Sequence, residues 1–242
     1  LENLGTIRRQ LMTGPGDVLL NRVDADSGTV EYYAGGLGTY IQDYGGTDYH
    51  NLTLTGVSPG MAYGLGVANN LTIGAGSTLS ANGKSVSIGG NFTNDNAANT
   101  FTAGGGTVAF VDPSKTSVID GPATFAGLTV AASGKTLQFA AGLANKITAG
   151  TFTAAGSGSA PVTLQSASPG TQWYLDVPPA SASVSWATIT DGHANEGTAN
   201  AVSPADSVDG GNNTNWTFPP SVRFRTWTGA VSTAWNDAGN WD

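Results

Sequence analysis

Four short segments between residues 70 and 93 place the tightest limit on how this chain folds. Each alternates apolar and polar residues over three or four positions, and small-residue breaks such as Asn82-Gly83 and Gly89-Gly90 separate them. The segments are Asn70-Leu-Thr-Ile, Thr78-Leu-Ser-Ala, Ser85-Val-Ser-Ile and Asn91-Phe-Thr. Alternation with period two predicts half-buried strands, and Asn-Gly or Gly-Gly pairs predict tight turns.

The spacing of these segments favours one all-β architecture. Their starts follow one another more closely than the strands of sandwiches and barrels, which are spaced by about 8–12 residues. Short strands at short spacing suit a right-handed parallel β-helix, in which the chain winds as a solenoid and each turn contains two or three strands. We therefore predict a solenoid whose stacked Leu, Ile, Val and Phe side chains form the core.

A longer phrase occurs twice in the chain, in residues 28–54 and 106–130. Both copies begin with Gly-Thr-Val and a nearby aromatic residue, cross a turn-forming patch, and end on Leu-Thr-Leu or Leu-Thr-Val. The second copy is slightly shorter than the first, and such self-similarity is typical of repeat proteins. Because no linker separates the copies, we interpret them as two passes of one continuous solenoid over residues 28–218.

The flanking regions are predicted to differ from the solenoid. Residues 1–27 are expected to form N-terminal strands or a cap, with strands at 6–12 and 17–23. Leu1 is not an initiator methionine, and no apolar signal-peptide core follows it. We therefore expect a mature or excised piece of a longer protein.

The C-terminal boundary is predicted at the pair Pro219-Pro220, which is typical of a linker. Residues 219–242 are accordingly expected to be a linker followed by a C-terminal strand segment. Solenoid ends expose unpaired strand edges that must be capped or paired. We therefore expect this segment to dock on a neighbouring subunit by β-augmentation.

The composition excludes several classes of function. Only 11% of the residues are charged, and the net charge is −8 without any cluster of Lys or Arg, which argues against nucleic acid as a partner. The absence of cysteine excludes disulfides and thiolate metal sites. No apolar run reaches the roughly 18 residues of a membrane-spanning helix. This composition is compatible with an exported bacterial surface protein.

Several phrases resemble giant bacterial surface proteins. They are Gly-Gly-Thr-Val-x-Phe at 105–110, Phe-Ala-Gly-Leu-Thr-Val at 125–130, the Asn-rich run at 207–218 and the Trp-rich run at 226–241. Proteins of this kind carry repeats of the filamentous-haemagglutinin-like or autotransporter-passenger-like right-handed β-helix type. The resemblance covers roughly residues 28–241 and is specific for architecture. It implies a secreted adhesin, stalk or surface filament, and it supplies no catalytic residues.

Candidate catalytic residues are few and scattered. His50 and His193 are the two histidines, and neither has a suitable neighbour at metal-ligand spacing. The acidic residues considered for catalysis are Asp43, Asp112, Asp120 and Asp191, together with the close pairs Asp24 and Asp26, and Asp206 and Asp209. Both pairs lie beside turn residues, so turn formation is the preferred explanation. We therefore predict that the chain is not an enzyme and needs no cofactor.

One Asx-rich loop could bind calcium. Asp206, Asp209, Asn212 and Asn213 carry the carboxylate and amide oxygens that hard cations prefer. The Gly-Gly-x-Gly-x-Asp calcium repeat is absent, however. A plain Asx-rich loop is the preferred interpretation, and a calcium site near Asp206, Asp209 and Asn212 is kept as a weaker alternative.

Aromatic residues near the C-terminus form the candidate interface. Phe224, Trp227, Trp235 and Trp241 lie close together in the sequence, and tryptophan is enriched at subunit interfaces. A sugar-stacking platform is the alternative. Several Asn-x-Thr triplets match the glycosylation signal, but we interpret them as chance matches in an Asn- and Thr-rich chain. Among them are the triplets that begin at Asn51, Asn70, Asn91 and Asn215.

Taken together, these features predict a structural role. We expect a subunit or segment of an extracellular bacterial filament, stalk or adhesin whose partners are copies of itself, joined head to tail into a homopolymer. Host or surface glycans are further expected partners, and no membrane span is expected. The alternative is a carbohydrate-active β-helix module, either a polysaccharide lyase or hydrolase or a sugar-binding domain, which would require a groove with converging Asp, Lys or Arg.

Overall fold

The computed structural model describes residues 5–11, 26–33, 39–41, 47–219 and 227–240. In these residues, parallel sheets stack into a β-solenoid of about 8 turns, and only 4% of the described structure is helical. The predicted all-β solenoid is therefore confirmed, while its right-handed winding stays the expectation for parallel strands joined by crossovers. No helix in the described part of the chain is long and apolar enough to cross a membrane.

The described residues form two long sheets along the solenoid and one short sheet, and the paired strands in them are parallel. Sheet 1 contains β1 (Thr6–Arg9), β2 (Thr29–Tyr33), β3 (Asn51–Thr55), β5 (Leu71–Ile73), β8 (Phe92–Asn94), β11 (Thr116–Asp120), β13 (Thr136–Phe139), β15 (Val162–Ser166), β18 (Ala187–Ile189) and β20 (Val208–Asp209). Sheet 2 contains β4 (Leu65–Val67), β7 (Val86–Ile88), β10 (Thr107–Phe110), β12 (Ala123–Val130), β14 (Ile147–Ala155), β16 (Trp173–Asp176), β17 (Ala182–Ser185) and β19 (Gly192–Ala194). The short third sheet pairs β6 (Leu79–Ser80) with β9 (Phe101–Thr102).

One inward-facing column illustrates how the sequence builds the core. Leu52 lies opposite Leu71, and Leu71 lies opposite Phe92. The column continues with Ile119 and Phe139 on the next two turns, and all five side chains are at most 1% exposed. Because successive residues of a strand point to opposite faces, the alternation in the sequence places one apolar side chain per turn in this column.

The first and last strands of the two copies of the duplicated phrase lie in different sheets. Val30 pairs with Leu52 in sheet 1, whereas Val108 pairs with Leu128 in sheet 2. Each copy therefore covers about one turn and brings its first and last strands side by side. The copies share this local pattern, but they do not occupy equivalent positions on the solenoid.

Several strand boundaries differ from those that alternation predicts. Separate strands are expected at 146–148 and 151–153, but β14 continues through both. In residues 182–190, Trp186 adopts a φ of 50° and turns the corner between β17 and β18. The strand predicted at 17–23 lies outside the described residues, as does part of the one predicted at 39–43.

Asparagine side chains connect successive turns at the corner before sheet 1. The Oδ1 atom of Asn51 accepts hydrogen bonds from Asn69 Nδ2 at 2.9 Å and from Asn70 N at 3.2 Å. One turn on, Asn70 Oδ1 accepts a bond from Asn91 N at 2.9 Å, and Asn91 Oδ1 accepts one from Val118 N at 2.9 Å. Three of the Asn-x-Thr triplets therefore begin with an asparagine that supports the backbone of the next turn.

Replacing Asn70 with alanine is expected to lower the free energy of unfolding by about 1–2 kcal/mol, because the amide of Asn91 loses its acceptor at a partly buried corner. Asn70→Asp keeps an acceptor oxygen in the same place and is the matched control, with an expected loss well below about 1 kcal/mol. Urea denaturation followed by circular dichroism measures both. Equal losses in the two variants would contradict the supporting role of this side chain.

Candidate functional site

A cleft of about 270 Å³ lies near the C-terminal end of the solenoid, beside strands β14 and β16. On its floor, Thr148 of β14 and Asp176 of β16 lie opposite each other in the parallel register. Pro178 and Pro179 line it after β16, and the segment that follows β19 contributes Glu196 and Asn200. We call this surface the Asp176 cleft.

The charge of Asp176 is largely compensated inside its own turns. Its Oδ2 atom lies 2.6 Å from the Nζ atom of Lys146. Its Oδ1 atom accepts a hydrogen bond from the backbone N–H of Glu196 at 3.2 Å. Asp176 therefore joins strand β16 to the segment that follows β19, whereas Glu196, the second acidic residue of the lining, has no ion pair among the described residues.

The segment 195–200 is held over the cleft by Asn195, which is buried and has a φ of 48°. Its Oδ1 atom accepts a hydrogen bond from Val177 N, and its Nδ2 atom donates one to the carbonyl of Asn200, both at 2.7 Å. Its own carbonyl accepts bonds from the N–H and the hydroxyl of Thr198. This segment is therefore fixed at both ends, and the shape of the cleft is set in advance of any ligand.

Three polar side chains of the cleft retain unused hydrogen-bonding capacity. Within the described ranges, no side chain or backbone group forms a hydrogen bond with the hydroxyl of Thr148, the carboxylate of Glu196 or the carboxamide of Asn200. Together they provide one charged acceptor with two oxygens and two neutral groups that both donate and accept. This arrangement suits a small ligand that carries several hydroxyl groups.

His193 lies next to the cleft on the neighbouring strand. It faces outward from β19, its ring packs against that of Tyr174 with centroids 4.9 Å apart, and Tyr174 is its register partner. Its Nδ1 atom is buried and has no hydrogen-bond partner in the described structure. The other histidine, His50, lies half-buried at the corner before β3.

The residues of the Asx-rich loop, for which calcium is the weaker alternative, form hydrogen bonds with the solenoid and with one another. Asp209 Oδ1 accepts bonds from Gly211 N at 2.9 Å and from Asn213 Nδ2 at 2.6 Å. Asn212 Nδ2 instead donates a hydrogen bond to Asp191 Oδ1 at 2.7 Å. In the described ranges no group of three or more His, Cys, Asp or Glu residues could hold a metal ion, and Asp206 is an exposed turn residue with a φ of 47°.

The acidic residues considered for catalysis lie in different places. Asp112 pairs with Lys115 at 3.4 Å, and hydrogen bonds from Ser114 lower the pKa of its carboxyl group. Asp120 ends strand β11 and is exposed. Asp24 and Asp43 lie outside the described residues.

The candidate interface is described only in part. Trp227 and Trp235 are 42% and 71% exposed, whereas Phe224 and Trp241 lie outside the described residues. Residues 227–240 are organised around Asn240, which is fully buried and whose Oδ1 atom accepts two backbone N–H bonds. The hydrogen bonds described for this segment connect it to itself.

A buried lysine joins three corners elsewhere in the solenoid. The ammonium group of Lys135 donates to the carbonyl oxygens of Asp112 and Lys115, both at 2.8 Å, and to Ser117 Oγ at 2.7 Å. The carbonyl of Gly89 lies at 3.4 Å. Burial lowers the pKa of Lys135 to about 8, with the charge of Lys115 acting in the same direction and that of Asp112 opposing it.

Comparison with protein-family models, with curated proteins and with solved structures finds no match to this chain. The fold and the cleft therefore rest on the residues and contacts described above. Neither the Asp176 cleft nor the group of acceptors around Lys135 can be predicted from the sequence, because their residues come together only through the register of the turns.

Proposed function

We propose that the chain is a structural segment of an extracellular bacterial surface filament, stalk or adhesin, without catalytic activity. The observation that carries the proposal is sheet 1, whose parallel strands extend from β1 to β20 along the described solenoid. In such solenoids stability is approximately a sum over neighbouring turns, so a stiff rod results. Only 11% of residues are charged, so the sides of the rod present a polar and largely uncharged surface.

The rod is proposed to polymerise head to tail through residues 219–242. Support comes from the exposed side chains of Trp227, Val231 and Trp235, which offer apolar surface for a contact with another copy. A heterologous contact that does not close generates a filament. Addition of the segment to the edge strand of another copy is the form that we propose for this contact.

Sedimentation velocity of the full chain and of a variant that ends at Pro219 tests this proposal. The full chain is expected to form larger species as its concentration rises, whereas the shortened chain is expected to sediment as a monomer at all concentrations. Circular dichroism checks that the shortened chain keeps its strands. A full chain that stays monomeric throughout the concentration series would contradict polymerisation.

A second candidate function is a carbohydrate-active module, and the Asp176 cleft is the observation that favours it. Two acidic residues line it, one of them paired with Lys146, and a groove with converging Asp and Lys is what such a module requires. Reducing-sugar release from polysaccharides tests the enzymatic form of this candidate. A glycan-binding assay tests the non-catalytic form.

A further inference from the structure

We propose that the Asp176 cleft binds a single sugar ring of a neutral glycan through the carboxylate of Glu196, without catalysis. The proposal deepens the second candidate function and is independent of the head-to-tail polymer. It assigns a ligand class and an orienting residue to a site whose members come from separate turns of the solenoid.

The size and walls of the cleft suit one small ring. Drug-sized ligands usually occupy clefts of about 300–1,000 Å³, and this one has a volume of about 270 Å³. Pro178 and Pro179 present an apolar wall, against which the C–H face of a pyranose can pack. The hydroxyl edge of the ring then points toward Thr148, Glu196 and Asn200.

The polar groups suit neighbouring hydroxyls. A carboxylate accepts two hydrogen bonds side by side, and charge-assisted bonds of this kind are roughly twice as strong as neutral ones. Glu196 is free to form them, because its described contact with Asp176 uses its backbone N–H. Asn200 and Thr148 can complete the ring of contacts, since each can donate as well as accept.

The charges argue against a divalent cation as the occupant. Calcium requires six to eight oxygen ligands, with several carboxylates among them. Lys146 already compensates Asp176 at 2.6 Å, so among the described lining residues only Glu196 has a carboxylate without a cation beside it. A neutral polyhydroxylated ligand uses that carboxylate without needing a second one.

Amide-resolved NMR titration of the full chain tests the proposal with four probes: methyl β-D-glucopyranoside, methyl β-D-galactopyranoside, glucosamine and calcium chloride. At least one methyl glycoside is expected to shift the amide signals of Thr148, Glu196 and Asn200. Glu196→Ala is expected to abolish these shifts. Glu196→Gln keeps one acceptor oxygen and is expected to weaken binding about tenfold, equivalent to about 1.4 kcal/mol.

Asp95→Asn removes an exposed carboxylate at a distant corner and serves as the control, with unchanged binding expected. Unchanged signal dispersion shows that each variant is folded. The proposal is overturned if neither glycoside shifts the cleft signals, if Glu196→Ala binds like the wild type, or if only glucosamine or calcium acts there. Glycoside shifts confined to another surface overturn it too, but leave a glycan-binding function in place.

Discussion

Replacing Trp173 with alanine is expected to lower the free energy of unfolding by about 3–5 kcal/mol. Trp173 is fully buried in β16. Its indole stacks on Phe139 with ring centroids 4.0 Å apart, and it packs against Trp216 at 6.1 Å. Its Nε1–H donates to the carbonyl of Thr190 at 2.9 Å. Alanine would leave a large cavity between turns and would remove the donor from a partly buried carbonyl.

Urea denaturation followed by circular dichroism measures this loss. Trp186→Ala is the matched control, because the same truncation at a side chain that is 43% exposed is expected to cost about 1 kcal/mol or less. Trp173→Phe retains the stacking but not the N–H group, so an intermediate loss of about 1–3 kcal/mol is expected. If the alanine variants of Trp173 and Trp186 lose equal stability, the stacked core described here is wrong.

Replacing Lys135 with methionine is expected to lower the free energy of unfolding at neutral pH by about 2–4 kcal/mol. Methionine fills a similar volume but donates no hydrogen bond, so the carbonyls of Asp112 and Lys115 lose a buried donor, and leaving buried acceptors unsatisfied costs about 1–3 kcal/mol each. Lys84→Met, at an exposed position, is the control and is expected to change stability by less than about 0.5 kcal/mol.

The pH dependence of this difference has a definite sign. The pKa of Lys135 is about 8 in the folded state, below the ordinary 10.5 expected when unfolded. Between these values the unfolded chain binds more protons, so stability rises with pH, by up to about 1.4 kcal/mol per unit. The gap between wild type and Lys135→Met is therefore expected to widen as the pH rises from about 8 to about 10. A gap that narrows over this range would contradict the buried ammonium.

Alternation is sufficient to predict the strands between residues 70 and 93, because the inward positions of these strands are mostly apolar. The glycines between them are predicted as turns, and at some of them there is no room for a side chain. At Gly89, for example, a Cβ atom would overlap the carbonyl oxygen of Ala68 in the turn beneath. What alternation cannot reveal is the sheet to which a strand belongs. The sequence therefore does not show that the outer strands of the first copy lie in sheet 1 and those of the second copy in sheet 2.

The register between turns depends on corner lengths, and these vary. The turn that brings Leu71 beside Leu52 is clearly shorter than the turn that brings Thr163 beside Thr136. No fixed period therefore indicates that Asp176 lies beside Glu196. The cage around Lys135 is still harder to foresee, because most of its acceptors are backbone carbonyls that leave no mark on the sequence.

Three of the Asn-x-Thr triplets, which we interpret as chance matches to the glycosylation signal, follow a structural pattern instead. Asn51, Asn70 and Asn91 each lie at the start of a sheet 1 strand or directly before one, and recurrence at one position of successive turns is a structural pattern. Their side chains accept hydrogen bonds from the next turn. An asparagine repeated at the start of successive strands can therefore be used to align the turns of a solenoid.

Cysteine cross-linking tests the end-to-end contact of the rod most directly, because the sequence contains no cysteine. Ile7 in β1 and Val208 in β20 are 44% and 60% exposed and lie at opposite ends of sheet 1. A bismaleimide that spans about 10 Å, two strand spacings, is expected to join the Ile7→Cys/Val208→Cys chain into a ladder of oligomers, and each single variant into dimers at most. A double variant that yields no ladder would contradict head-to-tail assembly.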